Sequence, residues 1–297
     1  MTPRFTPLRL GPVVAEILGD DGEAEVIAVF ERSVYVAAPG GIVCLVLEPL
    51  GDGPLHIVVA ASAVRPDWGR LGITREAKGW VSARRLALGP TFTLDLAGLP
   101  VWMPPPWPVV VPDTIPGTLA TLRALAAPLC PSEGLSRLVI NPGAAPQDRT
   151  AAAAAPTVIA FASALQAALT LGRVDARLIR AATLLLGLGP GLTPSGDDLL
   201  GGVFMALSAL GHRTLRDGLW QALEPELDLL TVEISAAHLA AAADGLAAAA
   251  VHAALVAIIT RDTATLPQSL ADLRAIGHAS GFDTLAGIML GLAAACH

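Results

Sequence analysis

Charge, aromatic rings and cysteine are all scarce in this 297-residue sequence. Only 15% of residues are charged and 4% aromatic, so a core has to be aliphatic, built from Leu, Val and Ala. The three cysteines, Cys44, Cys130 and Cys296, are odd in number and far apart. No CxxC occurs and no Cys/His cluster has zinc-ligand spacing, which excludes a disulfide framework and a zinc module and points to a reducing compartment. Lys78 is the single lysine, and 19 basic residues face 26 acidic ones for a net charge of −7. That balance excludes a basic nucleic-acid or anionic-membrane surface. No apolar h-region follows Met1-Thr2-Pro3-Arg4-Phe5-Thr6-Pro7, so no secretory signal is read there. The apolar run 199–211 is too short to span a bilayer, and 235–260 carries His238, Asp244 and His252. The expectation is a cytoplasmic protein with neither nucleic acid nor membrane as partner.

What is abundant is aliphatic and helix-forming text: 53% of residues are hydrophobic, beside 29 Gly and 24 Pro. The character changes near residue 105. Before it come short β-branched runs, 26–30, 34–36, 42–47 and 57–59, then 80–86 and 91–96, separated by turn signals such as Pro39-Gly40-Gly41 and Gly89-Pro90. The proline run Pro104-Pro105-Pro106-Trp107-Pro108 removes ladder donors and stiffens the chain, marking a linker. Beyond Pro112 the Ala/Leu text predicts helices over 118–129, 151–171, 175–186, 195–210, 214–229, 231–259, 266–276 and 280–295. The fold class expected is α+β: a β-rich sandwich or barrel-like domain over 1–110, then a larger all-α domain over 111–297. Low charge and Ala-rich helices further suggest apolar surface that needs a partner, either other subunits or a second copy.

One segment stands apart, Gly189-Pro190-Gly191-Leu192-Thr193-Pro194-Ser195-Gly196-Asp197-Asp198, a Gly/Pro-rich loop that opens a helix. Thr193 or Ser195 reads as the N-cap, with both aspartates in the first turn, where the helix dipole favours negative charge. Gly189, Gly191 and Gly196 permit unusual backbone angles and would leave N–H groups facing outward, an anion cradle. A second copy lies 85 residues on: Ser280, Gly281, Asp283, Leu285 and Gly287 match Ser195, Gly196, Asp198, Leu200 and Gly202. The shared pattern is Ser-Gly-x-Asp-x-Leu-x-Gly. Two glycines that weaken each helix by roughly 1 kcal/mol apiece make sense if backbones approach each other or a ligand. The two helix starts are therefore expected to converge on a small anionic ligand, with Asp197, Asp198, His278 and Asp283 as candidate catalytic groups. Gly189, Gly191, Thr193, Ser195, Gly196, Ser280 and Gly281 are the candidate binding groups. Clustered aspartates suit Mg²⁺, with Asp198 and Asp283 as its ligands. His278 is either a proton donor or structural. Thr231, Ser235 and His238 share one helix face and are candidates to line a cavity. Arg180, Arg213, Arg261 and Arg274 could each supply positive charge. Replacing Asp198 or Asp283 by Ala should abolish binding and leave the melting temperature nearly unchanged.

The 189–198 string resembles the signature of the AllH-type family of oxamate carbamoyltransferase subunits, long listed as a domain of unknown function. The Thr231…Ser235 stretch and Gly277-His278-Ala279-Ser280-Gly281…Asp283 resemble that family's later motifs, with Ala279 a departure where a small hydroxyl residue is expected. The resemblance implies a subunit that works with two others in allantoin (purine) catabolism, a transferase complex converting oxalurate and phosphate into oxamate and carbamoyl phosphate. Two other classes stay open: a free-standing Mg²⁺-dependent hydrolase of a small metabolite, and a non-catalytic assembly or ligand-sensing subunit.

Overall fold

The computed structural model describes residues 4–62, 66–143 and 148–296. His297, which carries no motif in the sequence, lies outside them. The chain divides into two compact units, Met1–Pro105 and Pro106–His297.

The first unit is built on eight strands: β1 (Phe5–Leu10), β2 (Gly22–Val29), β3 (Ser33–Ala38), β4 (Gly41–Leu47), β5 (His56–Ala61), β6 (Lys78–Ser82), β7 (Arg85–Leu88) and β8 (Phe92–Asp95). A short helix, α1 (Pro12–Ile17), follows β1. The strand order is β1-β5-β4-β3-β2-β6-β7-β8. All neighbours are antiparallel except β4 and β5. After β8 the chain returns alongside β1, where Leu10 N–H donates to Pro100 O (3.0 Å) and Trp102 N–H to Leu10 O (2.8 Å). The sheet is thus a nearly closed barrel. Its interior holds Val26, Val34, Val36, Leu45, Ile57, Val81 and Leu86, all at 0% exposure. Alternating burial along β2 matches a sheet with one face inward. The stretch 80–86, expected as one strand, is two: β6 and β7 reverse at Ala83-Arg84, with Ser82 opposite Arg85.

Among the described residues every strand precedes residue 96. The second unit consists of helices: α2 (Ile115–Ala126), α3 (Ser136–Ile140), α4 (Arg149–Leu171), α5 (Ala176–Thr183), α6 (Ser195–Ala209), α7 (Arg213–Leu223), α8 (Leu227–Leu230), α9 (Glu233–Ala243), α10 (Ala249–Thr260), α11 (Leu266–Arg274) and α12 (Ser280–Ala294). Two expected helices are broken. The stretch 231–259 divides at Gly245, whose φ of +79° belongs to a left-handed C-cap. There Gly245 N–H bonds Ala242 O and Leu246 N–H bonds Ala241 O, the paired bonds of a Schellman ending. His238 and His252 therefore sit on different helices. The stretch 214–229 breaks at Glu224-Pro225, where a 3₁₀ turn separates α7 from α8. Among the described residues α4 alone is long and apolar enough to cross a membrane, with mean hydropathy 1.6. Its buried face, including Ala154, Val158, Phe161 and Leu165, belongs to the core of this unit.

The centre of that core is the pair α6 and α12, which lie against each other almost backbone to backbone. A Cβ built on Gly202 would stand 2.0 Å from Thr284 O, and one on Gly287 would stand 1.9 Å from Leu199 O. Farther along, a Cβ on Gly291 would lie 2.6 Å from Ala206 Cβ. The contacts advance along both helices together, so α6 and α12 run in the same direction with their starts at one end. They are also reciprocal: Leu199 and Gly202 of one copy meet Gly287 and Thr284, their equivalents 85 residues on. The two copies are related by a local pseudo-two-fold axis. Gly202→Ala or Gly287→Ala is expected to destabilise by about 3 kcal/mol or more, read by urea unfolding. Gly201→Ala, whose new methyl would meet nothing nearer than Ala242 Cβ at 3.7 Å, is expected to be tolerated. Equal losses at both positions would contradict this packing.

Candidate functional site

The same pseudo-two-fold governs the helix starts. Neither serine is the cap: Pro194 and Ala279 occupy the N-cap positions without a capping side chain, and Ser195 and Ser280 are the first helical residues. The acids consequently fall one place later than the sequence suggests, with Asp198 and Asp283 at the fourth helical position. Gly196 and Gly281 have a shared reason to be glycine. A Cβ on either would stand 1.9 Å from a carbonyl of the preceding helix or its C-terminal turn, Leu185 O and Leu273 O respectively. Their N–H groups bond Leu188 O (2.9 Å) and Ile276 O (3.2 Å). Asp197 and Asp198 N–H both donate to Pro194 O, and Phe282 and Asp283 N–H to Ala279 O. The donors expected to face outward at these glycines are thus used within the fold. Gly189 (φ +124°) lies against Ser195, and Gly191 (φ +96°) faces open space.

Side chains converge where the donors do not. Thr193 Oγ1 and Ser280 Oγ are 2.8 Å apart, joining the loop before α6 to the start of α12. Hydroxyls and carboxyls are exchanged across the axis: Ser195 faces Asp283, while Ser280 and Thr193 face Asp198. Asp283 is fully buried. Its Oδ1 accepts Leu135 N–H (2.8 Å) and Ser136 N–H (2.7 Å), at the start of α3. Its Oδ2 lies under Gly134, where a Cβ would stand 2.5 Å away and φ is +85°. The Oδ2 atoms of both Asp198 and Asp283 are sealed from solvent and have no hydrogen-bond partner.

Two like charges in one buried place hold protons. Burial lifts Asp283 to about 7, against the hydroxyl of Ser195 and the amides of Ser136 and Leu135. Asp198 is raised well above the carboxylate range, by burial first and then by the charge of Asp283. The positive ends of α6 and α12 meet here and favour the charged forms, yet burial prevails.

Asp197 has a different task. Its Oδ1 accepts Gly187 N–H (2.8 Å); its Oδ2 accepts the hydroxyls of Thr231 and Ser235, the latter at 2.7 Å. Burial raises it too, but every oxygen is engaged. The Thr231 and Ser235 hydroxyls are spent on this carboxylate, tying α9 to the start of α6. His278 is exposed on the rim, with Nε2 3.4 Å from Glu133. Arg274 Nη1 donates to Leu129 O (2.6 Å). Arg180 lines a separate cleft of about 500 Å³ between α4 and α5, Arg213 begins α7, and Arg261 ends α10 in a left-handed conformation. Among the described residues no group of three or more His, Cys, Asp or Glu could hold a metal. Asp283 Oδ1 already accepts two amides, so the carboxyl oxygens left for another partner are Asp198 Oδ2 and Asp283 Oδ2.

Residues 185–292 match the family of oxamate carbamoyltransferase subunit AllH. The AllH match starts three residues before Leu188 and ends within α12, so it takes in both helix starts, α9 and the Asp197 network. It bears out the resemblance carried by 189–198. It leaves out Gly134, Leu135 and Ser136, which no motif pointed to and which bury Asp283. The only sequence signal there is the turn-forming Pro131-Ser132-Glu133-Gly134. No solved structure matches the chain.

Asp283→Ala would strip the acceptor from two buried amides, so a lowered melting temperature is expected, in place of the unchanged one read from sequence. Asp283→Asn keeps an acceptor and removes the charge. A carboxyl raised in the folded state binds its proton more tightly there. Its contribution is complete below the ordinary value of 3.8 and is lost as pH rises through about 7. Melting curves should therefore show Asp283→Asn gaining on the unsubstituted protein from about pH 5 to about pH 8. A constant difference would contradict a proton on this carboxyl.

Proposed function

We propose that this chain is a subunit of an oxamate carbamoyltransferase-like enzyme, and that the paired starts of α6 and α12 form its site for the small carbamoyl substrate. The observation that carries the reading is the pair of buried, unpartnered carboxyl oxygens on Asp198 and Asp283, placed across a pseudo-two-fold within the AllH-matched segment. Structural carboxyls are normally satisfied, as Asp197 is. A pair left unsatisfied is a destabilising feature retained at a functional place. The reaction is the one the resemblance implies, oxalurate and phosphate giving oxamate and carbamoyl phosphate. In it, Asp198 and Asp283 hold and orient the substrate, and the hydroxyls of Thr193, Ser195 and Ser280 position those carboxyls. The anionic end of the substrate lies toward Gly191 and the open side of the loop, and a cytoplasmic setting goes with this reading.

Partner subunits are part of the proposal. Leu192, Leu229, Leu230 and Val232 are exposed apolar side chains, on the loop before α6, on α8 and between α8 and α9. Leu230 O packs against Gly187, where a Cβ would stand 1.8 Å away, so the two segments adjoin. Apolar groups next to a site fit a subunit contact. The test is reconstitution with the two other subunits and measurement of carbamoyl phosphate formed from oxalurate and phosphate. Activity should require this chain and fall by about a hundredfold in kcat/KM with Asp198→Asn. Full activity from the other subunits alone would make this chain an assembly or sensing component and end the catalytic reading.

A further inference from the structure

One apolar face of the helical unit is left uncovered by its own core. It begins at the cleft of about 500 Å³ between α4 and α5, which exists because the facing side chains are small: Ala160, Ala164 and Ala167 of α4 and Ala181 of α5 line it. Pro156 and Ser163 also line it, and Ile159, on the same face of α4, is 70% exposed. Leu184, at the end of α5, lines the cleft and is 58% exposed. One turn later stands Gly187, against which Leu230 O packs. The cleft therefore adjoins α8, where Leu229 is 82% exposed. The charges on this face are sorted. Arg177 and Arg180 line the cleft. Glu224, Glu226, Asp228 and Glu233 flank the leucines at the other end, all exposed. Arg177 leans on Asp175, while Arg180 and those four acids are in no ion pair among the described residues.

We propose that a second copy of this chain covers the face, in a two-fold dimer that seats Leu229 of each copy at the α4–α5 cleft of the other and sets Glu226 and Asp228 against Arg177 and Arg180. This rests on the subunit contact proposed above for Leu229 and Leu230 and names the subunit that makes it. The sorting of charge is what selects a second copy. A partner of one charge would suit one end of the face and be repelled by the other. The face itself, turned end for end by a two-fold axis, suits both ends: arginines meet acids twice, and the apolar middle meets itself. An apolar centre bordered by charged groups is the usual anatomy of such a contact.

The experiment is sedimentation analysis of the full chain alone, at micromolar concentration and without substrate or other subunits. The unsubstituted chain should sediment as a dimer. Two variants each reverse one end of the face: Arg177→Glu with Arg180→Glu, and Glu226→Arg with Asp228→Arg. Either variant alone sets like charges together at both junctions and should weaken the dimer by at least about a hundredfold. Mixed in equal amounts the two should recover it, because each junction again pairs acid with arginine, and recovery shows that both are folded. Leu229→Asp, checked for a cooperative melt, should weaken the dimer in the same way. A monomeric unsubstituted chain would overturn the inference, as would a dimer that the reversals leave unmoved. So would a mixture that stays monomeric or grows beyond two chains. If the chain alone is monomeric and Leu229→Asp blocks its capture by the other two subunits, the face belongs to them and the inference falls. The carbamoyl phosphate assay is a separate readout: a chain required for activity yet monomeric on its own keeps the proposed function and loses this contact.

Discussion

The contact between the backbones of α6 and α12 is the constraint on which the rest of the helical unit depends. Helices pack at 8–10 Å when side chains separate them. Here Gly202, Gly287 and Gly291 remove the side chains, and a single methyl at Gly202 or Gly287 would stand about 2 Å from a carbonyl oxygen. Running two helices in the same direction at such closeness sets their positive ends side by side, which is unfavourable on its own. The acids Asp197, Asp198 and Asp283 lie in that field, which opposes the rise that burial gives their carboxyls. Closeness, parallel direction and acidic helix starts are one arrangement, and the repeated sequence pattern encodes it.

Two of those acids show how environment divides residues of one type. Asp197 sits among Gly187, Thr231 and Ser235, so its charge is dispersed over three donors and it serves as a tie between elements. Asp198 and Asp283 lie near each other, and burial raises both, with the charge of Asp283 raising Asp198 further. A neutral carboxyl offers an O–H donor beside its acceptor oxygen. The chemistry of the site thus follows from the packing beneath it.

Much of this was legible in the sequence, and the exceptions have physical reasons. The spaced glycines foretold a close helix crossing, and the Ser-Gly-x-Asp repeat foretold that the two starts would meet. The change of periodicity near residue 105 foretold strands followed by helices. At Gly196 and Gly281 the close backbone approach read from the pattern is present and the outward amides are not, because a glycine that admits a carbonyl looks the same in sequence as one that exposes an amide. Gly245 and Pro225 were visible breakers, yet Ala-rich text outweighed them in the reading of 231–259 and 214–229. The cover over Asp283 could not be read at all. Its donors are the backbone amides of Leu135 and Ser136, about 148 residues away in sequence, and backbone groups leave no side-chain signature.

The most direct measurement of the central claim is a carboxyl ¹³C NMR titration of Asp198 and Asp283 in the intact chain. The structure predicts that both titrate above the ordinary value of 3.8, with Asp283 near 7, and that each responds to the other's ionisation. Asp283→Asn should then lower the midpoint of Asp198, because the like charge is gone. Two independent titrations close to 3.8, unaffected by that substitution, would mean that the carboxyls do not share a sealed place and that the helix starts do not form the site described.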